Sequence, residues 1–419
     1  MKKIINKYVE TNLVLRIVIG LVVGILLALI APSWTFVAIF GTLFVGALKA
    51  IAPILVFILV CASLTNAKVG HKSNMSHVVL LYILGTACAS FMAVLVSFAF
   101  PVDMVFSGTA DLSDFTPPSS IGAVLTNLLG NVVSNPVASL ANANYLGILF
   151  WAVILGLANR KFATASFKDG LNIASQACST AVRWIIQFAP FGIMGLIFSA
   201  VSESGLAIFT DYGKLVLVLV TCMLLMFLVV NPLIVFLNTH KNPYPLVFRC
   251  IKDSAITAFF TRSSAANIPV NMQLCKDLGL DEDNYSISIP LGATINMEGA
   301  AITIAVMTLA AVHTLGVPVN FVTALLLSLL AAVGACGASG VAGGSLLLIP
   351  MACSLFGIGN DIAMGVVAVG FIIGVIQDSF ETALNSSTDA LFTATAEYYK
   401  QRKAEQAAKK AAAAGADAQ

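Results

Sequence analysis

A stripe of polar side chains lies inside one of the longest apolar stretches of the sequence. In "GVIQDSFETALNSSTDALF" (374–392), Asp378, Thr382, Asn385 and Asp389 occur at positions i, i+4, i+7 and i+11, and Glu381 borders them. This spacing places them on one face of a 3.6-residue helix. Three carboxylates in one membrane span need cations or hydrogen-bond donors. We therefore expect this face to meet ions, an ammonium group or an arginine; a helix that only packs polar groups is the alternative.

A second polar group interrupts another apolar run. The segment "GATINMEGAAIT" (292–303) contains Gly292, Asn296, Glu298 and Gly299. An ionisable residue costs at least about 2.5–3.5 kcal/mol at the centre of a membrane helix, so it needs a purpose. The glycines permit a local break that frees carbonyl oxygens, and the amide and carboxylate add hard oxygens that suit an alkali cation. A packing glycine pair with a solvated glutamate is the alternative.

A third segment combines an arginine with hydroxyls. In "FFTRSSAANIP" (259–269), Arg262 precedes Ser263 and Ser264. At the tip of a helical hairpin, side-chain donors and helix N-termini bind carboxylates. Arg262 is also able to neutralise a buried acid. An ordinary surface arginine in a cytoplasmic loop is the alternative interpretation.

The composition sets the environment of these residues. Of 419 residues, 59% are hydrophobic and 10% are charged, and the mean hydropathy is +0.95. A water-soluble domain would lack polar side chains for its surface, so the chain belongs in a membrane. The net charge of +2 does not suggest a nucleic-acid partner. The eight cysteines are scattered singly and the four histidines form no metal-binding pair, which disfavours metalloenzyme chemistry.

Apolar runs of about 20 residues predict membrane-spanning helices. The N-terminal run is too long for a signal peptide and is interpreted as the first span. Several predicted spans are too long to cross once, so they must be tilted, broken or continued beyond the lipid. The eight spans are expected at 13–31, 36–66, 78–100, 121–157, 180–202, 213–238, 287–315 and 361–395.

Two further segments predict re-entrant hairpins. Residues 245–275 and 322–357 each have apolar arms too short to span the bilayer, on either side of a small polar or glycine-rich centre. Irregular backbone at membrane depth is tolerated where it is buried in protein or lines a watery cavity. Such tips meeting near the midplane are typical of secondary transporters. The basic residues fall in segments on the opposite side of the membrane from the acidic 101–120 loop. This distribution predicts that both termini, including the basic tail, are cytoplasmic.

These motifs resemble those of the dicarboxylate/amino acid:cation symporters, the glutamate transporter family, and are most similar to its bacterial serine/threonine:sodium symporters. The resemblance covers about residues 10 to 396 and is carried by "TRSSAANIP" (261–269), "GATINMEGAA" (292–301), "GACGASGVAGG" (334–344), "DSFETALNSSTD" (378–389) and "ALKAIAPILVF" (47–57).

The resemblance implies an all-α integral membrane protein with a glutamate-transporter-like fold of eight transmembrane helices and two re-entrant helical hairpins. It also implies a homotrimer in which a transport domain moves against a scaffold. The implied domains are scaffold helices 1–2 (1–66), helix 3 of the transport domain with an outer loop (67–119), scaffold helices 4–5 (120–202), the rest of the transport domain (203–396) and a cytoplasmic tail (397–419).

The resemblance also implies sodium as the transported coupling ion. The family usually has aspartate at position 298, so the third ion site is altered here. The implied ligand sets are Gly292, Asn296, Asn385 and Asp389 for one ion; Thr294 with Ala332, Val333 and Ala335 for another; and Tyr82, Thr86, Asn296 and Glu298 for a third.

For the substrate, the resemblance implies that Asp378 binds the amino group and that Asn385 and the hydroxyl and amides near Ser264 bind the α-carboxylate. A zwitterion needs this combination of one acid and several donors. The resemblance implies that two differences from the family pattern set the substrate specificity. Members that transport acidic substrates have a threonine where this chain has Ala300, and many have an arginine where it has Glu381. An acid at the second position repels glutamate and aspartate. The expected substrate-binding residues are Arg262, Ser263, Ser264, Ala300, Asp378, Glu381, Thr382 and Asn385.

The expected function is therefore a sodium-driven symport of L-serine and L-threonine by an elevator mechanism in a bacterial inner membrane. Sodium- or proton-coupled uptake of acidic amino acids or C4-dicarboxylates is the alternative. An ion channel is a rival from another class, and a membrane enzyme is disfavoured because no nucleophile has an adjacent base. Arg262 is expected either to contact substrate or to pair with Asp378 and Glu381.

Overall fold

The computed structural model describes residues 11, 13–66, 75–106, 130, 132–338 and 343–416. Within these residues the regular secondary structure is entirely helical. Parts of several sequence predictions fall outside the described residues: the start of the predicted 67–119 domain, most of its outer loop, the start of the predicted fourth span and positions 339–342 of the second hairpin tip.

The N-terminal half of the chain forms seven of the described α-helices. A 3₁₀ turn, Thr35–Val37, precedes the second of them. The helices are α1 (Leu13–Ile30), α2 (Ala38–Asn66), α3 (Met75–Ala99), α4 (Pro136–Ala141), α5 (Tyr145–Phe162), α6 (Ala165–Gln187) and α7 (Ala189–Ser204).

The C-terminal half contains interrupted helices. Two π-helical segments, Met226–Val230 and Ile251–Ala255, join consecutive α-helices, and a 3₁₀ turn, Ser345–Leu348, leads into another. The helices are α8 (Ile208–Leu225), α9 (Asn231–Thr239), α10 (Tyr244–Cys250), α11 (Ile256–Thr261), α12 (Ser264–Asp277), α13 (Glu282–Ile295), α14 (Glu298–Thr314), α15 (Phe321–Ala335), α16 (Ile349–Ser354) and α17 (Asn360–Ala416).

The chain is a multi-pass membrane protein. Helices α6 and α7, bent by 56° relative to each other, add a further span if they cross together, and α1 is apolar but shorter. Pro190 near the start of α7 explains the bend, because proline removes a backbone donor and disfavours helical geometry in the residue before it. Six described segments are long and apolar enough to cross: Thr35–Asn66, Met75–Ala99, Tyr145–Phe162, Gly205–Thr239, Glu282–Thr314 and Asn360–Ala407.

The helices pack in two groups. In the first, α1 packs on α7, and α2 packs on α5, α6 and α7. In the second, α17 packs against α11, α12, α13, α14 and α16, while α3 packs on α14 and α15. Contacts between the groups are sparser. In the first group, glycines allow close approach, since a Cβ built on Gly20 would lie 2.1 Å from the carbonyl oxygen of Pro190.

Two of the six spans lie in the interior of the molecule. In the most apolar stretches of Glu282–Thr314 and Asn360–Ala407, 94% and 89% of residues are buried. In the other four spans the corresponding share is 39% to 50%. The outer helices therefore offer apolar side chains to lipid, whereas α13, α14 and α17 are surrounded by protein. Polar groups on these inner helices are shielded from lipid.

Candidate functional site

The polar stripe of α17 is buried in the middle of the second helix group. Asp378, Glu381, Asn385 and Asp389 are each at most 5% exposed. Because neighbouring helices cover α17 on several sides, these side chains form hydrogen bonds with groups on other segments of the protein. Asp378 contacts the α11–α12 junction, Asp389 contacts the α13–α14 break, and Glu381 and Asn385 both contact α14, so the interrupted helices converge on the stripe.

The break between α13 and α14 places one amide against the stripe. Asn296 lies between the two helices with φ −92° and ψ 87°. Its Nδ2 donates to the carbonyl of Asn385 (3.1 Å), to Thr388 Oγ1 (2.8 Å) and to Asp389 Oδ1 (2.9 Å). Asn296 Oδ1 and Asp389 Oδ2 are buried and have no hydrogen-bond partner among the described residues. Two acceptor oxygens are thus left for a cation.

A glycine lets α13 approach this acid. A Cβ built on Gly292 would lie 2.5 Å from Asp389 Oδ1 and 2.8 Å from the hydroxyl of Tyr82. A larger side chain at position 292 would therefore displace the carboxylate. The Tyr82 hydroxyl also lies 3.1 Å from the carbonyl of Ser288 and 3.2 Å from that of Asp389. Thr86, one turn further along α3, donates to the Tyr82 carbonyl and accepts from the backbone N–H of Met297.

The first turn of α14 contacts the stripe through its backbone. The N–H of Gly299 donates to Asn385 Oδ1 at 2.7 Å. A Cβ on Gly299 would lie 2.7 Å from the Cα of Glu381, so only glycine fits there. Ala300 follows on the same turn and is fully buried. This part of the predicted site is therefore brought together by direct helix contact.

Arg262 lies at the junction of α11 and α12 and pairs with Asp378. The residue ends α11 in the left-handed conformation, with φ 52°. Its Nε donates to Asp378 Oδ2 at 2.6 Å, and both side chains are less than 10% exposed. The N–H of Gly343 donates to the other oxygen, Oδ1, at 3.2 Å. Both carboxylate oxygens of Asp378 are therefore engaged.

Glu381 has different partners from Asp378. Its Oε2 accepts from Thr303 Oγ1 at 2.7 Å and from Ser345 Oγ at 2.8 Å. The side-chain amide of Gln377, one turn earlier on α17, donates to the same oxygen. These neutral donors, rather than Arg262, are the hydrogen-bond partners of Glu381 in the described part of the chain.

The serines after Arg262 start a helix. Ser263 is the N-cap of α12, and its Oγ accepts from the N–H of Ala266 at 3.2 Å. Ser264, the first residue of α12, is 4% exposed. Thr382, on α17 next to Glu381, is 6% exposed. The N-terminus of α12 therefore faces the interior together with Arg262.

The residues expected around the second ion are more widely distributed. Thr294 is exposed, and its hydroxyl donates to the carbonyl of Leu291. Ala332 and Ala335 lie in the last turns of α15, and the carbonyl of Ala335 accepts from the N–H of Ala338. Val333 is 48% exposed. The Sγ of Cys336 contacts the carbonyl of Ile295, which brings the end of α15 beside the α13–α14 break.

A second polar network ties α12 to α17, and the sequence predictions did not include it. Asn267 and Asn271 are fully buried and both donate to the Oγ of Ser386, at 2.9 and 3.1 Å. They also bond Ser254 in the preceding π segment. The signal was present, because two asparagines four residues apart share one helix face.

Other missed residues surround the acids. Thr388 bonds Asn296, and Asn231 donates to Glu298 Oε2 at 2.8 Å. Asn231 precedes Pro232 within an otherwise apolar run, and such an isolated buried amide is the kind of residue that marks a polar contact between membrane helices. Thr303 and Ser345 gave no comparable signal, since single hydroxyls are common in apolar helices.

Comparison with known proteins gives consistent matches. The model of the Sodium:dicarboxylate symporter family matches residues 13–398. Proteins named Serine/threonine transporter SstT from Streptococcus agalactiae serotypes III, Ia and V are each 58% identical to this chain over 397 residues. The matched regions cover 95% of this chain and 98% of each relative. They include the polar stripe and the interrupted helices around it.

Proposed function

We propose, for a chain that belongs to the sodium:dicarboxylate symporter family, that the function is sodium-coupled import of serine and threonine. The main support for this proposal is that three interrupted segments contact one face of α17. Asp378, Asn385 and Asp389 there contact the α11–α12 junction, the first turn of α14 and the α13–α14 break, respectively. Such interrupted helices supply the donors and free oxygens that a zwitterion and a cation need.

The substrate site we propose lies between the N-terminus of α12 and α17. Asp378 would supply the negative charge for the substrate ammonium, and Asn385 and Ser264 would donate hydrogen bonds to its carboxylate. Asp378 is bonded to Arg262 in this structure. The substrate ammonium must therefore share Asp378 with Arg262 or displace it. Thr382, beside Glu381 on α17, completes the proposed wall.

Glu381 supports a neutral substrate. Its carboxylate is 5% exposed and is held by two hydroxyls and an amide rather than by a base. A substrate with a side-chain carboxylate would bring a second negative charge into this low-dielectric site, which is strongly unfavourable. A hydroxyl side chain carries no such charge. The buried charge of Glu381 therefore disfavours uptake of acidic amino acids or C4-dicarboxylates.

Sodium is the coupling ion in this proposal. The unpaired oxygens Asn296 Oδ1 and Asp389 Oδ2 support a site there, to which Asn385 and Gly292 would contribute backbone oxygens. Glu298 with Tyr82 and Thr86 is proposed around a further ion, and Thr294 with the α15 residues Ala332, Val333 and Ala335 around another. Ion binding would order the α13–α14 break on which the amino-acid site is built, and such coupling is reciprocal.

We also propose the domain arrangement and location that the family resemblance implies. The two helix groups support a scaffold (1–66 and 120–202) and a transport domain (67–119 and 203–396), followed by a cytoplasmic tail (397–419). The sparse contacts between them would let the transport domain slide as an elevator. Eight transmembrane helices, two re-entrant hairpins, a homotrimer and cytoplasmic termini in a bacterial inner membrane complete the proposal.

The experiment is uptake of labelled serine into proteoliposomes. With an inward sodium gradient we expect saturable accumulation that excess threonine inhibits and excess aspartate does not. Replacing sodium by potassium should abolish accumulation. Uptake that persists in potassium, or conductance without serine accumulation, would contradict the proposal. Inhibition of serine uptake by aspartate would favour the acidic-substrate rival.

A further inference from the structure

We infer that Asn231 is a positioning residue that holds the Glu298 carboxylate in the orientation in which it would bind the coupling ion. This inference rests on the proposed function. Asn231 is 1% exposed, and Glu298 is fully buried. Asn231 Nδ2 donates to Glu298 Oε2 at 2.8 Å. The hydrogen bond joins residues 67 positions apart, on α9 and α14.

Both residues stand at helix interruptions. Asn231 is the first residue of α9, directly after the π segment Met226–Val230, and its N–H bonds the carbonyl of Met226 five residues earlier. Glu298 is the first residue of α14, directly after the α13–α14 break. π-Helical turns often occur at functional sites. The bond therefore couples the distortion in the α8–α9 helix to the break that carries Asn296.

A third helix limits where the carboxylate can go. A Cβ built on Gly85 of α3 would lie 2.4 Å from Glu298 Oε1, so α3 approaches the acid at a glycine. Glu298 is thus confined between α3 and α9. With Oε2 bonded to Asn231, the direction of Oε1 is also set.

The pair leaves two acceptor oxygens unused. Glu298 Oε1 and Asn231 Oδ1 are buried without a hydrogen-bond partner among the described residues. Buried unpaired acceptors are costly, and a pair that served only to join two helices would gain by satisfying them. Hard oxygens of this kind are what an alkali or alkaline-earth cation prefers. The arrangement therefore points to a carboxylate held ready for a cation.

The length of the side chain is central to the inference. A glutamate carboxylate extends one methylene further than that of an aspartate, and this reach brings it to the Asn231 amide. In a Glu298→Asp variant the acid would be too short for the same bond. The effect of removing the Asn231 amide should therefore depend on which acid occupies position 298, which a double-mutant cycle measures.

The experiment measures sodium binding to the purified full-length protein directly, as the sodium-induced rise in melting temperature at constant ionic strength with choline as the replacing cation. Asn231→Leu should raise the half-saturating sodium concentration roughly tenfold, the equivalent of about 1.4 kcal/mol. In the Glu298→Asp background the same substitution should change it less than about twofold. The matched control is Asn238→Leu, which removes another hydrogen-bonded asparagine from α9.

Each outcome decides the inference. Equal shifts for Asn231→Leu and Asn238→Leu, or equal effects of Asn231→Leu in both backgrounds, would show a merely structural role. If Asn231→Leu does not fold, Asn231→Ala removes the same donor without added bulk and carries the same expectation. If neither variant folds while Asn238→Leu does, the inference is overturned. If the native protein shows no sodium-induced stabilisation, the proposed function fails and the inference with it.

Discussion

The acids at the two ends of the polar stripe on α17, Asp378 and Asp389, have different kinds of hydrogen-bond partner. At the Asp378 end, a guanidinium and a backbone N–H donate to the two carboxylate oxygens. At the Asp389 end, a neutral amide donates to one oxygen, and the other has no partner among the described residues. Among the described residues, the first acid therefore has a positively charged partner, whereas the second has a neutral one.

The difference separates two roles in one helix. A buried carboxylate is costly unless a positive charge or several donors stabilise it. In the function that we propose, Arg262 stabilises Asp378 in the absence of substrate, and the substrate ammonium would take the place of Arg262. In the same proposal, Asp389 would bind a mobile cation. The proposed coupling would follow because Asn385 lies between the two acids on α17, where its carbonyl accepts from Asn296 and its Oδ1 accepts from the N–H of Gly299.

The largest effect is expected at the end that lacks a counter-charge. Asp389→Asn should lower sodium-dependent serine uptake at least about a hundredfold, because losing one partner of a buried charge pair costs roughly 3 kcal/mol. Uptake in proteoliposomes is the measurement. Glu405→Gln, an exposed acid on the same helix, is the control and should match the native rate. If the Asp389→Asn variant keeps a tenth or more of the native uptake, the proposed difference in role between Asp378 and Asp389 is contradicted.

The next effect tests the end with its own counter-charge. Asp378→Asn should weaken serine binding about thirtyfold and Arg262→Ala about tenfold, and the double variant should be no worse than Asp378→Asn alone, because the partners act as a unit. Competition binding with labelled serine measures this. Arg249→Ala, which breaks the more exposed pair with Asp253, should change binding less than about twofold. Unchanged transport in the Arg262→Ala variant would show that Arg262 has no role in the substrate site.

A change in selectivity is expected beside Asp378. Glu381→Gln keeps the shape of the side chain and removes its charge, so aspartate should begin to inhibit serine uptake while serine affinity falls about fivefold. Inhibition curves with aspartate measure the change. Glu397→Gln, further along α17, should leave aspartate without effect. If aspartate inhibits neither the native protein nor Glu381→Gln, the charge of Glu381 does not set selectivity.

The smallest effect is expected between the two helix groups. Lys49 of α2 forms an ion pair with Asp361 at the start of α17, and the two side chains are 40% and 75% exposed, respectively. Exposed pairs contribute at most about 1 kcal/mol, so Lys49→Asp should change the uptake rate by no more than about fivefold. The reversed pair, Lys49→Asp with Asp361→Lys, should restore the native rate. Failure of the reversed pair to recover would show that the contact has no part in the relative movement of the groups.

The sequence predicted the polar stripe and the break beside it for physical reasons. Side-chain spacing alone places Asp378, Asn385 and Asp389 on one face, because helix geometry is regular. Glycine and asparagine within an apolar run predicted an interruption near Asn296, and the structure has one there. The comparisons confirmed the family resemblance that these motifs carried.

Other features were beyond the sequence patterns. The contact of Asn231 with Glu298 depends on how two helices are rotated against each other, and periodicity within either helix does not define that rotation. The hydroxyls of Thr303 and Ser345 meet Glu381 for the same reason. The bend between α6 and α7 was also missed, although Pro190 marks it, because the predicted span began at residue 180.

In the function that we propose, an ion and an amino acid occupy one site together. Calorimetric titration of serine into the purified protein tests this joint binding most directly. Saturable serine binding is expected in sodium chloride, and no binding is expected in potassium chloride. Asp389→Asn should bind no serine in either salt. Equal serine affinity in sodium and potassium, or native affinity in Asp389→Asn, would contradict the account.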